Sequence, residues 1–322
     1  MKASKIKVLL INQEFFPGLD TWFDLDYIAT RKSITPGAEE SKILGIRQLF
    51  FSFLGLLFGK YNVVILPAFR VDFNFDGSTR QKWIRKLFAS GLFNPLLGIV
   101  LAKPYVIVVD RDDVSDIQHS LIAQFKAKLY FKANLREQDK EGIVQPLPYW
   151  ILESQFDEIV KGNQSKDIDL FFAGKFHQGR KRAIEKLIQT LNTQDLNIVV
   201  LKERVDLKTY YDYLNRSRLV LSPSGIGWHC FRHYESLVAG AIPVIDKSEE
   251  EIVSDLKDGQ NAIIYQNSDD AAEKITHYFK NGKNGFWDFD ESAAYVKREH
   301  LDTSISRLLK VAVEESQNPR SS

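Results

Sequence analysis

The sequence predicts an α/β chain of two Rossmann-like domains with a central cleft, on three observations. Apolar runs of strand length alternate with longer segments of helical spacing, the pattern of parallel sheets covered by helices. The alternation comes as two series, separated at 161–167 (KGNQSKD) by a polar stretch of linker composition. At 322 residues the chain is also longer than one core of ordinary size fills. The expected division is 1–150 and 151–322, with ligands beyond the carboxyl ends of the strands and in the cleft between domains.

In the first series, strands are expected at 6–11, 63–67 and 105–109. The apolar run 8–11 is too short for the core of a signal peptide and reads as a buried strand. Segments 49–58 and 87–102 read as core helices; the first is too short to span a bilayer, and Ser90, Asn94 and Pro95 interrupt the second. Residues 80–101 open with Arg80, Lys82, Arg85 and Lys86 interleaved with Trp83, Leu87 and Phe88, which also suits peripheral contact with an anionic membrane. A helix over 114–131, capped by Asp113 or Ser115, and a short segment at 143–147 complete this half. The second series places strands at 170–173, 198–201, 219–221, 242–245 and 262–265. Its helices fall at 180–191, 207–215, 229–239, 249–256 and 269–280, with a helical tail over 290–315.

Lys plus Arg (43) balances Asp plus Glu (42), so no whole-chain field attracts nucleic acid, and none is expected as a partner. A single cysteine, Cys230, excludes an intrachain disulfide and a Cys-based zinc site. That fits a reducing compartment, so the expected location is the cytoplasm, with the membrane surface as the alternative. The sequence has no Gly-x-Ser-x-Gly elbow, Walker phosphate loop or Gly-x-Gly-x-x-Gly fingerprint, which argues against hydrolase, ATPase and dinucleotide-oxidoreductase chemistry.

The strongest chemical signal is 219–246, LVLSPSGIGWHCFRHYESLVAGAIPVID: strand, small-residue loop, helix, glycine stop, strand. The loop of Ser222, Ser224 and Gly225 leads to a helix start near Trp228, an arrangement that exposes backbone N–H groups to a phosphate. Arg232, Glu235 and Ser236 are spaced to share one helix face, with His233 beside them. A carboxylate there accepts both hydroxyls of a ribose, and the arginine binds phosphate. An ordinary βαβ crossover with a surface Arg–Glu pair has the same letters. Gly240 is placed as the helix stop.

The run FRHYESLVAGAIPVI resembles the donor-binding motif of exostosin-like glycosyltransferases and, more loosely, the GT-B superfamily. The resemblance extends to 169–174 (DLFFAG) with Arg180 or Arg182, and to 258–262 (DGQNA) with 269–270, covering about 167–280. It implies a GT-B fold with Glu235 gripping the nucleotide ribose. It also implies a nucleotide diphosphate sugar as co-substrate, without metal or cofactor, and a glycan, lipid or protein hydroxyl as acceptor. The expected activity is of the hexosyltransferase type, in polysaccharide biosynthesis. The chain departs from many retaining members at Gly227, where they carry a second Glu eight residues before the ribose Glu, so stereochemistry stays open.

Gly174 and Lys175 follow a strand, and Arg180 begins the next helix; with Lys202 as a third candidate, these cations suit a diphosphate leaving group. Asp110-Arg111-Asp112 is a D-x-D, the pattern with which GT-A glycosyltransferases hold a divalent ion, so a metal-dependent transferase is the rival reading. The preferred role of Asp110 or Asp112 is acceptor binding or general base, with Glu14 an equal rival. His229 and His233 have zinc-clamp spacing without a third ligand nearby. The absence of one compelling base keeps a non-catalytic nucleotide- or sugar-binding protein as a further alternative.

Overall fold

The computed structural model describes residues 6–11, 19–28, 54–68, 99–162, 165–174, 178–225, 227–282 and 285–317. The chain forms two compact units, Met1–Leu147 with Ser306–Ser322, and Pro148–Ile305. The division falls after Leu147, where 1–150 and 151–322 are expected from the sequence, and 306–322 count with the first unit.

The first unit carries β1 (Lys7–Ile11), α1 (Leu19–Trp22), β2 (Asp24–Ile28), β3 (Val63–Pro67), β4 (Tyr105–Asp110), α2 (His119–Phe125), β5 (Leu129–Lys132) and β6 (Val144–Pro146). Its strands form one parallel sheet in the order β2-β1-β3-β4-β5-β6. β3 is buried along its whole length and β4 from Val106 on, which is why they read as unbroken apolar runs rather than alternating ones.

The second unit carries α3 (Glu153–Lys161), β7 (Ile168–Ala173), α4 (Gln178–Leu191), β8 (Ile198–Leu201), α5 (Leu207–Arg216), β9 (Ser217–Leu221) and α6 (Phe231–Val238). It continues with β10 (Ile242–Asp246), β11 (Ile263–Tyr265), α7 (Ser268–Asn281) and α8 (Phe289–Glu299), before α9 (Asp302–Gln317). The sheet is parallel, in the order β11-β10-β9-β7-β8. Phe171, Val220 and Ile245 point to one packed face, and Leu170, Phe172, Leu219, Leu221 and Val244 to the other. Strand order reverses between β7 and β9: β8 lies beyond β7 on one side, while β9, β10 and β11 continue on the other. The crevice at the carboxyl ends of β7 and β9 is therefore the place where this topology receives a ligand.

Several sequence expectations need correction. The helix expected over 114–131 is shorter, and its last residues form β5. Lys126 adopts φ 51° and stops α2 without a glycine to announce it. Neither Asp113 nor Ser115 caps that helix; Gln118 is the N-cap and makes no side-chain cap bond. Residues 249–256 form no helix, because their backbone is held by side chains: Asn261 Nδ2 donates to Asp255 O at 3.2 Å, and His229 Nε2 lies 3.1 Å from Val253 O. The tail is two helices. Asp288 and Glu291 form a capping box for α8, and the break at His300 is stitched to the start of this unit by Ile151 N to His300 O, 2.9 Å. The sequence reading also passed over β2 and α1. Half of segment 49–58 and most of 87–102 lie outside the described residues, as does most of the membrane candidate 80–101. Among the described residues no helix is long and apolar enough to cross a membrane.

Candidate functional site

Gly174 follows β7, and the Ser222–Gly225 loop leaves β9, so both border the β7/β9 crevice. The helices that follow these two strands supply the cations. Arg180 in the first turn of α4 donates through Nη2 to the carbonyl of Ser224. A Cβ on Gly225 would lie 3.4 Å from that same nitrogen. Arg232, in the first turn of α6, lies over the Phe172 ring at 5.5 Å. A Cβ on Gly174 would come within 2.9 Å of its Nη2, so glycine leaves the room the guanidinium occupies. Arg232 Nε is buried without a hydrogen-bond partner among the described residues. Burial, and then the charge of Arg232, lower the pKa of Arg180. Two half-buried guanidiniums that feel each other, one with an unsatisfied donor, have the chemistry to receive an anion. Cys230, the N-cap of α6, makes no side-chain cap bond, and of the first-turn amides His233 N donates to the Cys230 carbonyl at 3.2 Å.

Glu235 stands one turn further along α6 and is 8% exposed. Tyr210 of α5 donates its hydroxyl to Glu235 Oε2 at 2.8 Å. Burial raises the carboxyl to about 7, against the opposing pull of Tyr210 and Arg232. Gly240 follows the helix with φ +66°, and a Cβ there would meet Phe289 Cδ2 at 2.7 Å, so both backbone and packing require glycine.

Three predicted donor contacts have side chains spent inside the protein. His233 Nδ1 lies 2.8 Å from Ser222 Oγ, and its Nε2 lies 2.9 Å from Trp228 O. Ser236 Oγ donates to Arg232 O at 2.5 Å. All three residues are fully buried and brace the loop and helix from within. Cys230 joins them, its Sγ 3.3 Å from Ser222 Oγ and 3.5 Å from His233 Nδ1. Burial pushes the Cys230 thiol up, but the His233 imidazole and Arg232 outweigh it and bring it down to about 6. His229 does not pair with His233 as a metal clamp: its Nδ1 meets Tyr234 Oη at 3.0 Å and its Nε2 the Val253 carbonyl. Among the described residues no group of three or more His, Cys, Asp or Glu is placed to hold a metal ion.

The sequence reading missed Asp246 as a contributor. At the end of β10 its Oδ1 accepts Ser224 N at 2.6 Å, its Oδ2 accepts the Ser224 hydroxyl, and its carbonyl accepts Trp228 Nε1 at 2.6 Å. It thus clamps both ends of the 222–228 loop, and its charge acts on Arg180. Its signal in the sequence was an acidic residue ending the strand next to the loop. Asp246→Asn should retain one acceptor but lose the second hold on Ser224, and the loosened loop should weaken anion binding several-fold, on the order of 1 kcal/mol, despite the removal of a negative charge. Measured by titration of diphosphate compounds, unchanged affinity would remove Asp246 from the site.

In the first unit, Asp110 is 1% exposed and its carboxylate is occupied. Tyr130 donates to Oδ2, Asp112 N donates to Oδ1 at 2.9 Å, and the fully buried Lys132 places Nζ 3.3 Å from Oδ2. Lys132 Nζ also donates to Asp112 O at 3.1 Å. Asp110 therefore holds the turn after β4, while Asp112 remains half-exposed. Lys202 follows β8, the strand on the far side of β7 from β9. Glu14 and Lys175 lie outside the described residues.

Residues 171–266 match the family model for the RXYLT1 C-terminal domain, so the exostosin-like resemblance holds over this part of the chain. No curated protein matches the chain. Among solved structures, a glycosyltransferase from Rickettsia africae ESF-5 superposes with a TM-score of 0.55 at 9% identity, over 99% of this chain and 100% of that one. Sucrose-phosphate synthase from Thermosynechococcus elongatus gives 0.52 at 12% identity, over 98% and 100%. At such identities the likeness is one of fold: two parallel sheets flanked by helices, the GT-B arrangement.

Proposed function

We propose that the chain is a glycosyltransferase that takes a sugar from a nucleotide diphosphate donor and passes it to a hydroxyl acceptor on a glycan, lipid or protein. The observation that carries this reading is the convergence of Arg180 and Arg232 on the crevice between β7 and β9, with Glu235 one turn behind them on α6. In this reading the diphosphate lies against the two guanidiniums and the first-turn amides of α6, and Glu235 accepts the ribose hydroxyls. The same cations stabilise the charge that develops on the leaving diphosphate, the work a divalent ion does in other transferases, so turnover proceeds without metal or cofactor. Lys175, following Gly174, is a further phosphate contact in this reading. A hexose is the proposed cargo and polysaccharide synthesis in the cytoplasm the proposed setting. Acceptor binding and the general base fall to the first unit. Asp112 is the member of the D-x-D pair with solvent access and Glu14 its rival.

Calorimetric titration with UDP, GDP, ADP and their sugars, with and without EDTA, tests this function; one should bind, and binding should survive EDTA. Nucleotide binding followed by neither transfer nor donor hydrolysis would instead leave a binding protein on the same scaffold. The raised carboxyl of Glu235 adds a pH signature. Only the ionised form accepts both ribose hydroxyls, so affinity should climb about tenfold from pH 6 to pH 8, with its midpoint near 7. Glu235→Gln should flatten the part of the profile due to this group, and Cys230→Ser separates the thiol that titrates nearby. A wild-type profile identical to that of Glu235→Gln would exclude the carboxylate from the site.

A further inference from the structure

Glu235 has two carboxylate oxygens to place, and α5 fixes one of them. Tyr210 donates to Oε2 at 2.8 Å, whereas Oε1 forms no hydrogen bond among the described residues. Tyr210 is itself held on three sides. It sits in the first turns of α5, whose start is fixed by Asp206 accepting Thr209 N at 2.9 Å. Its ring packs against Phe171 of β7, 6.0 Å between centroids, and against Tyr211 at 5.5 Å. Burial, and then the charge of Glu235, keep the phenol protonated well beyond its ordinary range, so the hydroxyl acts as a standing donor. Besides Tyr210, the titratable groups that face the carboxylate are Tyr211 from α5, Arg232 on its own helix and Cys230 at the N-cap.

A carboxylate tied at one oxygen by a rigid donor presents its other oxygen in a single direction, whereas an untied one spreads over several rotamers. We propose that Tyr210 is the positioning residue for donor recognition: by fixing Oε2 of Glu235 it turns the open side of the carboxylate toward the ribose diol, and the preference for ribose over 2′-deoxyribose depends on it. This inference rests on the nucleotide reading of the site. Tyr210 touches the ligand only through Glu235, and its effect belongs to ribose selection rather than to the transfer step.

The test is Tyr210→Phe, which removes the hydroxyl and keeps the ring against Phe171 and Tyr211. The tightest-binding of UDP, GDP and ADP is titrated against wild type and variant, alongside its 2′-deoxy analogue. The ribonucleotide should bind on the order of tenfold more weakly and the deoxy analogue less than about twofold more weakly, so that discrimination collapses. In turnover, donor KM should rise with kcat unchanged. In a Glu235→Gln background the same substitution should leave discrimination unaltered. Asn267→Ala, which removes the side-chain cap of α7 away from the Tyr210–Glu235 contact, should lower the melting temperature and leave discrimination intact. If Tyr210→Phe fails to fold, 3-fluorotyrosine at 210 keeps the ring and strengthens the donor, and discrimination should hold or rise. Equal weakening of both nucleotides by Tyr210→Phe, or no change in either, overturns the proposal; so does a loss of discrimination with 3-fluorotyrosine. Failure of the wild type to bind UDP, GDP or ADP is a different failure: it removes the nucleotide reading, and Tyr210's role falls with it.

Discussion

Exchanging Arg232 for methionine should weaken nucleoside diphosphate binding on the order of 100-fold, about 2.7 kcal/mol, while leaving the empty protein as stable or more stable. The two effects have one origin. The Arg232 guanidinium acts on that of Arg180 and has a buried Nε with no partner among the described residues, so it contributes repulsion and an unsatisfied donor. Methionine keeps contact with Phe172 and fills similar volume without either cost. The bound diphosphate reverses the balance, because each guanidinium then makes charge-assisted bonds to it. Thermal denaturation of the empty variant, paired with calorimetry, checks both halves. A residue present for folding would show the opposite pairing, a lower melting temperature with unchanged affinity.

Glu235→Gln carries the second large effect, and its sign depends on pH. The carboxyl has a folded value of about 7 against an ordinary 4.5, so between those values the folded chain holds a proton the unfolded chain has released. Stability from this group is fully present below about 4.5, declines as pH rises through 7, and is flat above. Glutamine keeps an acceptor for the Tyr210 hydroxyl and has no charge to desolvate. The variant should therefore match wild type near pH 4.5 and exceed it at pH 8 by about 3 kcal/mol, from about 1.4 kcal/mol per pH unit. Its nucleotide affinity at pH 8 should fall by 1 to 2 orders of magnitude, as a charge-assisted pair of bonds is replaced by a neutral one. Urea denaturation at both pH values measures the first effect. A wild type as stable as the variant at pH 8 would place the carboxyl in water, contrary to its burial.

The sheets were legible because their central strands are buried on both faces, which writes them as apolar runs such as VVILP and YVIVVD. Arg232, Glu235 and Gly240 were legible for a second reason: helix spacing and a left-handed stop fix their relative places within one short segment. Direction was not. Ser222, His233 and Ser236 are polar letters beside the motif, yet their side chains turn inward and satisfy one another. Tyr210 and Asp246 reach the site through contacts 25 and 22 residues distant in sequence, which no local pattern reveals. The same limit applies to Asp110, whose D-x-D spacing is silent about Tyr130 and Lys132 arriving from the neighbouring strand. β5 was read as helix because Leu129–Lys132 continues the spacing of α2, and its only break is a lysine in a left-handed conformation.

Donor recognition in the proposed function depends on one placement, a nucleotide at the carboxyl ends of β7 and β9. A crystal structure with the tightest-binding nucleoside diphosphate measures it directly. The ribose hydroxyls should lie within hydrogen-bond distance of Glu235, with the diphosphate oxygens between the guanidiniums of Arg180 and Arg232. A nucleotide bound elsewhere, or one whose ribose leaves Glu235 joined only to Tyr210, would contradict it.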